Sequence, residues 1–257
     1  MIIKLFYLTN FGNVRTSNED AILLHDSLII NRNMRKPESR IIENSSIVLC
    51  VADGMGGHVK GEMASATVLE TVQNSLPEML THKTVKKVIL ESRKKLNRVA
   101  ISENAYGLGT TLTGLSFHKK KALLFNCGDS RVYRAGSNFL EKLTNDHSLV
   151  QGLYDSGLID EEGMRNHPNK NILTSAIIGD LSDEEPKITI RTIDLKIGSM
   201  FLLCTDGLWE SLNTDELIQC FDPALKPEEI SEKLLKESIE KGGRDNISYI
   251  LAQIIDI

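Results

Sequence analysis

The chain has 257 residues, 41% hydrophobic and 25% charged, enough to bury an ordinary core, so intrinsic disorder is excluded. Thirty basic residues stand against 35 acidic ones, a net charge of −5, and no basic face for gripping nucleic acid is forced on the chain. No stretch approaches the ~20 apolar residues that span a bilayer, and the apolar N-terminus has neither a charged leader nor a small-residue cleavage site. A cytoplasmic protein is therefore expected, with no fused sensor, kinase or membrane anchor.

The opening MIIKLFYL reads as a first strand, and a hairpin follows with strands near 21–24 and 27–30. Residues 31–46, NRNMRKPESRIIENSS, read as a polar surface insertion ahead of a strand at 47–52, IVLCVA. Helices are expected at 61–79 and 84–103. The second places Val85, Val88, Ile89, Leu96, Val99 and Ala100 at three- and four-residue spacing, with a basic outer face. Lys86-Lys87, Lys94-Lys95 and Lys119 to Lys121 read as solvated helix faces and a hairpin turn, with a docking patch for acidic partners as the alternative.

Short runs with tight turns fill 110–143 (TLTGLSF, ALLFNC, SRVYRA, NFLEKL) and predict antiparallel pairing. Residues 147–171 are polar and weakly helical. Strands return at 172–177, 187–194 and 199–205, helices at 214–221 and 227–241, and a strand at 247–255. Strands and helices cluster without strict alternation, which predicts an α+β layered fold of mostly antiparallel sheets covered by helices. No repeat or linker divides the chain, so 1–257 is expected to be one domain. Cys50, Cys127, Cys204 and Cys220 form no CxxC pair; they read as free thiols in a reducing compartment.

The informative pattern is where the aspartates fall. IVLCVA ends in Asp53-Gly54, LLFNC in Gly128-Asp129 and FLLCT in Asp206-Gly207, while Asp245 and Asp20 stand just before strands. Any one of these is ordinary turn chemistry. Five together are harder to dismiss, because strand ends gathered at one edge would set carboxylates against one another unless a cation neutralised them. A carboxylate-rich shell without His or Cys suits Mg²⁺ or Mn²⁺ rather than zinc or copper, and neither His58 nor His147 sits at zinc-ligand spacing. Two such metals sharing a carboxylate can hold a bridging hydroxide in line with a phosphorus atom. Arg15, five residues before Asp20, could receive the phosphate as a planar fork or be a surface arginine near a turn.

GNVRTSNED (12–20), VADGMGGHVKGEMAS (51–65), GTTLTG (109–114), NCGDSRVYR (126–134), LTNDHSLV (143–150), HPNKNILTSAIIG (167–179), LLCTDGLWE (202–210) and GGRDNIS (242–248) occur in this order over nearly the whole chain. In that order they resemble the metal-dependent type 2C protein phosphatases, most closely the compact bacterial stand-alone form. The resemblance implies a central pair of mainly antiparallel sheets flanked by helices, with 147–171 as a flap subdomain beside the active site. It implies hydrolysis of phosphoserine and phosphothreonine by a metal-bridging hydroxide, with two Mn²⁺ or Mg²⁺ ions and a third, weaker one. Asp53 then resembles the bridging ligand, the Gly54 carbonyl a ligand of one metal, Asp206 and Asp245 ligands of the other, and Glu19 with Asp20 the acidic pair for the second metal. Asp129 resembles the third metal's ligand, and Arg15 the substrate-phosphate receptor. Phosphorylated proteins are the implied partners, by analogy a Ser/Thr kinase or its targets. Asn10, Met55 and Ser175 depart from family patterns, and His58 is expected to be structural rather than a general acid. A catalytically silent module of this fold and a small-molecule phosphoesterase are the alternatives.

Overall fold

Along the strand Ser46–Ala52 successive side chains point to opposite faces and enter two different cores. Ile47, Leu49 and Val51 join one cluster; Val48, Cys50 and Ala52 join the other. Both faces of this strand are covered, which is why IVLCVA is a continuous apolar run rather than an alternating one. The computed structural model describes residues 1–56, 60–136, 139–180 and 184–257.

Two six-stranded antiparallel sheets stack face to face. The first runs, in spatial order, Phe139–Lys142, Arg131–Gly136, Met200–Cys204, Ile247–Asp256, Ile2–Asn10 and Glu38–Glu43. The second runs Thr189–Asp194, Lys121–Cys127, Leu112–His118, Ser46–Ala52, Ala21–Leu24 and Ser27–Ile30. A small third sheet joins Ile177–Gly179, Leu108–Thr110 and Gly54–Met55. Between the large sheets Phe117 meets Phe201 edge to face, with centroids 6.0 Å apart.

Helices α1 (Gly61–Asn74) and α2 (His82–Ser102) cover the second sheet through Val68, Leu69, Val72, Val85, Val88, Ile89 and Leu96. A Thr81–Thr84 capping box starts α2. Three short helices follow: α3 (Leu149–Asp155), α4 (Glu161–Asn166) and α5 (Asp206–Trp209). The helices α6 (Thr214–Cys220) and α7 (Pro227–Glu240) lie against the first sheet, where Leu217, Ile230 and Leu234 are buried.

The α+β sandwich expected from the chain is present, with three differences. Residues 31–46 are more than an insertion: Glu38–Glu43 pairs with the first strand as the sheet edge. Only Ile42 of its six side chains is buried, so its apolar periodicity is faint. The expected 61–79 helix ends at Asn74 and a 3₁₀ turn carrying Pro77 follows, since proline lacks the donor a continuing helix needs. The expected 172–177 strand contracts to Ile177–Gly179 and one isolated bridge from Leu173 to Ser148.

Strand direction brings the functional ends together. In the first sheet Asn10 faces Ile247, and Cys204 faces both Tyr249 and Arg131. In the second, Ala21 faces Ala52 and Leu112 faces Cys127. An aspartate after one strand therefore lies beside an aspartate before its antiparallel neighbour.

Gly114 sits opposite the fully buried Phe125, whose ring lies over it. A Cβ there would fall 2.4 Å from Phe125 Cζ and 2.7 Å from the Leu49 carbonyl oxygen. Gly114→Ala is expected to destabilise the fold by about 1–3 kcal/mol, read as a lower urea midpoint at unchanged slope.

Candidate active site

Asp20 and Asp129 are buried at the shared edge of the sandwich, and Asp53, Asp206 and Asp245 keep one side open to solvent. The backbone holds each in place. Asp53 donates its amide to Thr111 Oγ1 (3.0 Å), and its carbonyl accepts from Thr111 N and Thr110 Oγ1. Thr205 Oγ1 donates to Asp20 Oδ2 at 2.9 Å. Asp206 opens α5 and is not the plain turn residue that Asp-Gly suggests; Gly207 lies so close to the Asn246 carbonyl that a Cβ would stand 1.9 Å from its oxygen. Gly54 N donates to the Glu19 carbonyl at 3.2 Å, which joins these two expected ligands side by side. Among the described residues the sandwich edge thus gathers Glu19, Asp20, Asp53, Gly54, Asp129, Asp206 and Asp245.

Their electrostatics are unfavourable without a cation. Burial, then the charges of Asp206, Asp20 and Asp129, pushes the Asp53 carboxyl well above the usual range. Burial also raises Asp20, partly offset by hydroxyl bonds from Ser248 and Thr205. Burial followed by Asp206 and Asp146 raises Asp129, with Arg131 opposing. Asp206 is pushed up to about 7 by burial, Asp245 and Glu210. Burial and mutual repulsion thus act on Asp53 and Asp206 together, each disfavouring the charge of the other.

Arg15 stands at the open rim. Its Nη2 lies 2.8 Å from Asp245 Oδ2, with side chains 50% and 38% exposed. An ion pair this exposed contributes no more than about 1 kcal/mol, so a phosphate can displace it.

A divalent cation fits this edge. The donors are all oxygens whose charges oppose one another, and a bound cation would relieve that repulsion and replace the partner charge that Asp245 takes from Arg15. Among the described residues no three His, Cys, Asp or Glu side chains already stand at mutual ligand spacing. That is consistent with Asp245 turned to Arg15.

Several contributors lay outside the sequence reading. Asn246 accepts from Glu19 N (2.9 Å) and donates to the carbonyls of Ser17 (2.8 Å) and Phe11 (3.3 Å), lacing the Arg15 loop to Asp245. Asn18 donates to Thr9 Oγ1 (2.6 Å) and accepts from Asp20 N (3.1 Å). The asparagines beside Asp20 and Asp245 were the available signal, since such side chains can donate and accept at once. Asn10 donates to the Met34 carbonyl and accepts from Gly12 N, both at 2.7 Å; an aspartate there would lose the donation. Burial holds His147 down at about 4, and its neutral ring accepts from Gly128 N (3.3 Å). Ser175 accepts from Lys187 N at 2.8 Å. Met55 pairs with Gly109 in the small sheet. His58 lies outside the described residues.

Residues 147–171 form α3, α4 and their connections, and they dock on the chain after Asp206. Arg165 donates to the carbonyls of Glu210 (3.0 Å), Trp209 (3.3 Å) and Leu212 (3.5 Å), and Lys170 pairs with Glu210 at 2.7 Å. A cleft of ≈ 400 Å³ lies between this segment and Trp209. A wider ≈ 670 Å³ groove runs along the lysines of α2 against Ile188 and Ile190. None of the five aspartates lines either. No helix among the described residues is long and apolar enough to cross a membrane.

The raised carboxyls carry a pH signature. Stability from a group raised on folding is fully present below its unfolded pKa and is lost as pH climbs through the folded value, for Asp206 about 7. In EDTA the protein should lose thermal stability from about pH 4 to above pH 7. Asp206→Asn should raise the melting temperature by about 2–5 °C at pH 8 and much less at pH 5, as followed by thermal denaturation.

The sequence profile of the Protein phosphatase 2C family matches residues 38–241. The chain is similar to the serine/threonine phosphatase stp of Listeria welshimeri, with 32% identity over 257 residues covering 96% of this chain and 94% of that one. It is also 27% identical to the serine/threonine protein phosphatase PstP of Mycobacterium tuberculosis over 100% of this chain, which spans only 46% of that longer protein. A crystal structure of the mycobacterial phosphatase superposes with a TM-score of 0.82 at 25% identity, covering 100% of both chains. The PstP catalytic domain in complex with two manganese ions superposes at 0.78, also at 25% identity and covering 100% of both chains.

Proposed function

The chain belongs to the protein phosphatase 2C family, and on that premise we propose that it is a metal-dependent serine/threonine protein phosphatase. The observation that carries the proposal is the meeting of carboxylates from both sheets at one solvent-open edge, with an exchangeable arginine on its rim. The relatives named for this activity, one of them crystallised with two manganese ions, support it.

Asp53, the Gly54 carbonyl, Asp206 and Asp245 would hold the core cations, with Asp20 and Glu19 beside them and Asp129 serving a third. Mn²⁺ or Mg²⁺, when bound, supplies Lewis-acid charge and an acidified water. Arg15 releases Asp245 and takes non-bridging phosphate oxygens in its planar fork, which orients the ester. Thr205, Thr111 and Asn246 keep the carboxylates from turning away. The chain acts as one catalytic domain, with 147–171 as the flap beside the site. Its substrates are phosphorylated proteins, among them a Ser/Thr kinase or that kinase's targets. Four buried free cysteines suit a reducing cytoplasm.

Hydrolysis of p-nitrophenyl phosphate and phosphothreonine peptides should require Mn²⁺ or Mg²⁺ and stop with EDTA. Asp53→Ala and Asp245→Ala should each lower kcat/KM by at least about 100-fold, since Lewis-acid stabilisation contributes several kcal/mol. Full activity in either variant would contradict the assignment, and faster turnover of nucleotides than of phosphopeptides would favour a small-molecule phosphoesterase. Arg15→Ala should raise KM for phosphopeptides about tenfold or more, from the loss of charge-assisted bonds, as measured by steady-state kinetics.

A further inference from the structure

Asp129 sits where the chain crosses from the second sheet, after Lys121–Cys127, to the first, at Arg131–Gly136. Its carboxyl is buried, with Asp206 and Asp146 among the charges that reach it. Its backbone is held by the turn that follows Met200–Cys204, the strand beside Arg131–Gly136 in the first sheet. The indole Nε1 of Trp209 donates to the Asp129 carbonyl at 3.1 Å. The same ring lies against the Arg131 guanidinium, 3.5 Å from centroid to Cζ.

That guanidinium is itself fixed. Arg131 Nε lies 3.0 and 3.2 Å from the two oxygens of Asp146, Nη2 lies 2.6 Å from Oδ2, and Nη1 donates to Tyr133 Oη at 3.1 Å. Arg131 and Asp146 are nearly buried, with 12% and 2% of their side chains exposed. Trp209 ends the single helical turn that Asp206 begins. Asp206 and Asp129, which flank the paired strands Met200–Cys204 and Arg131–Gly136, are therefore joined a second time, through the Asp206–Trp209 turn and one hydrogen bond.

We propose that Trp209 is a positioning residue that clamps the Asp129 backbone to the Asp206 turn and so sets the spacing between these two carboxylates for a shared cluster of divalent cations. The Arg131–Asp146 pair positions Trp209 in turn, by fixing the flat surface on which its ring rests. This inference rests on the reading of Asp129 as a metal ligand. A tryptophan that merely filled space would need neither the indole donor nor the stacked guanidinium.

The test is calorimetric titration of Mn²⁺ into the whole protein and its variants, beside thermal melts in EDTA. Trp209→Phe keeps the ring and removes the donor. It should weaken the lowest-affinity Mn²⁺ site about threefold to tenfold, the worth of one hydrogen bond. Its melting temperature should stay within about 2 °C of the parent, and the Mn²⁺ concentration for half-maximal hydrolysis should rise by the same factor. Arg131→Lys keeps a charge beside Asp146 but loses the flat stack; it should shift the same site in the same direction by less. Asp129→Asn should abolish that site. If Trp209→Phe and Arg131→Lys give isotherms superimposable on the parent while Asp129→Asn loses the site, the positioning role is wrong and the ligand reading stands. A lowered melting temperature with unchanged Mn²⁺ affinity likewise overturns it. If Asp129→Asn also binds like the parent, the ligand reading falls and the clamp with it.

Discussion

Everything at the functional edge follows from mutual repulsion among carboxylates held where they cannot retreat. Each is fixed by its backbone or by a hydroxyl neighbour: Asp53 through Thr110 and Thr111, Asp20 through Thr205, Asp206 by the helical turn it begins. The rest of the fold supplies the rigidity that keeps such a cluster from relaxing. A softer scaffold would let the charges rotate into water and lose their affinity for a cation. Here the Arg15 guanidinium on Asp245 serves as a placeholder.

Antiparallel order explains how distant parts of the chain reach this edge. Sequence neighbours such as Leu112–His118 and Lys121–Cys127 return to the same end after each hairpin. The first sheet adds strands from opposite ends of the chain, with Ile2–Asn10 beside Ile247–Asp256. The asparagines then lace loops that the strands alone leave loose. Asn246 alone contacts residues 11, 17 and 19.

Much of this was legible in the sequence. The apolar runs marked the buried strands, and their Asp-Gly ends marked the edge where charge collects. The hairpin at 21–24 and 27–30 appears with the bounds Ala21–Leu24 and Ser27–Ile30. Glu38–Glu43 is hard to read from the sequence because an edge strand with one buried side chain leaves little periodicity. The short α5 was hidden because Asp-Gly signals a turn equally well. The tie from Trp209 to Asp129 could not be read at all: its partner is a backbone carbonyl, which has no letter in the sequence.

The central place of Ile247–Asp256 in the first sheet ties two of the carboxylates to one element. Without it the sheet would have a gap between Met200–Cys204 and Ile2–Asn10, and Asp245, which stands just before it, would lose its seat. The gap would also part Met200–Cys204, which leads into Asp206, from its antiparallel neighbour. Disruption of this one strand would therefore loosen both carboxylates together.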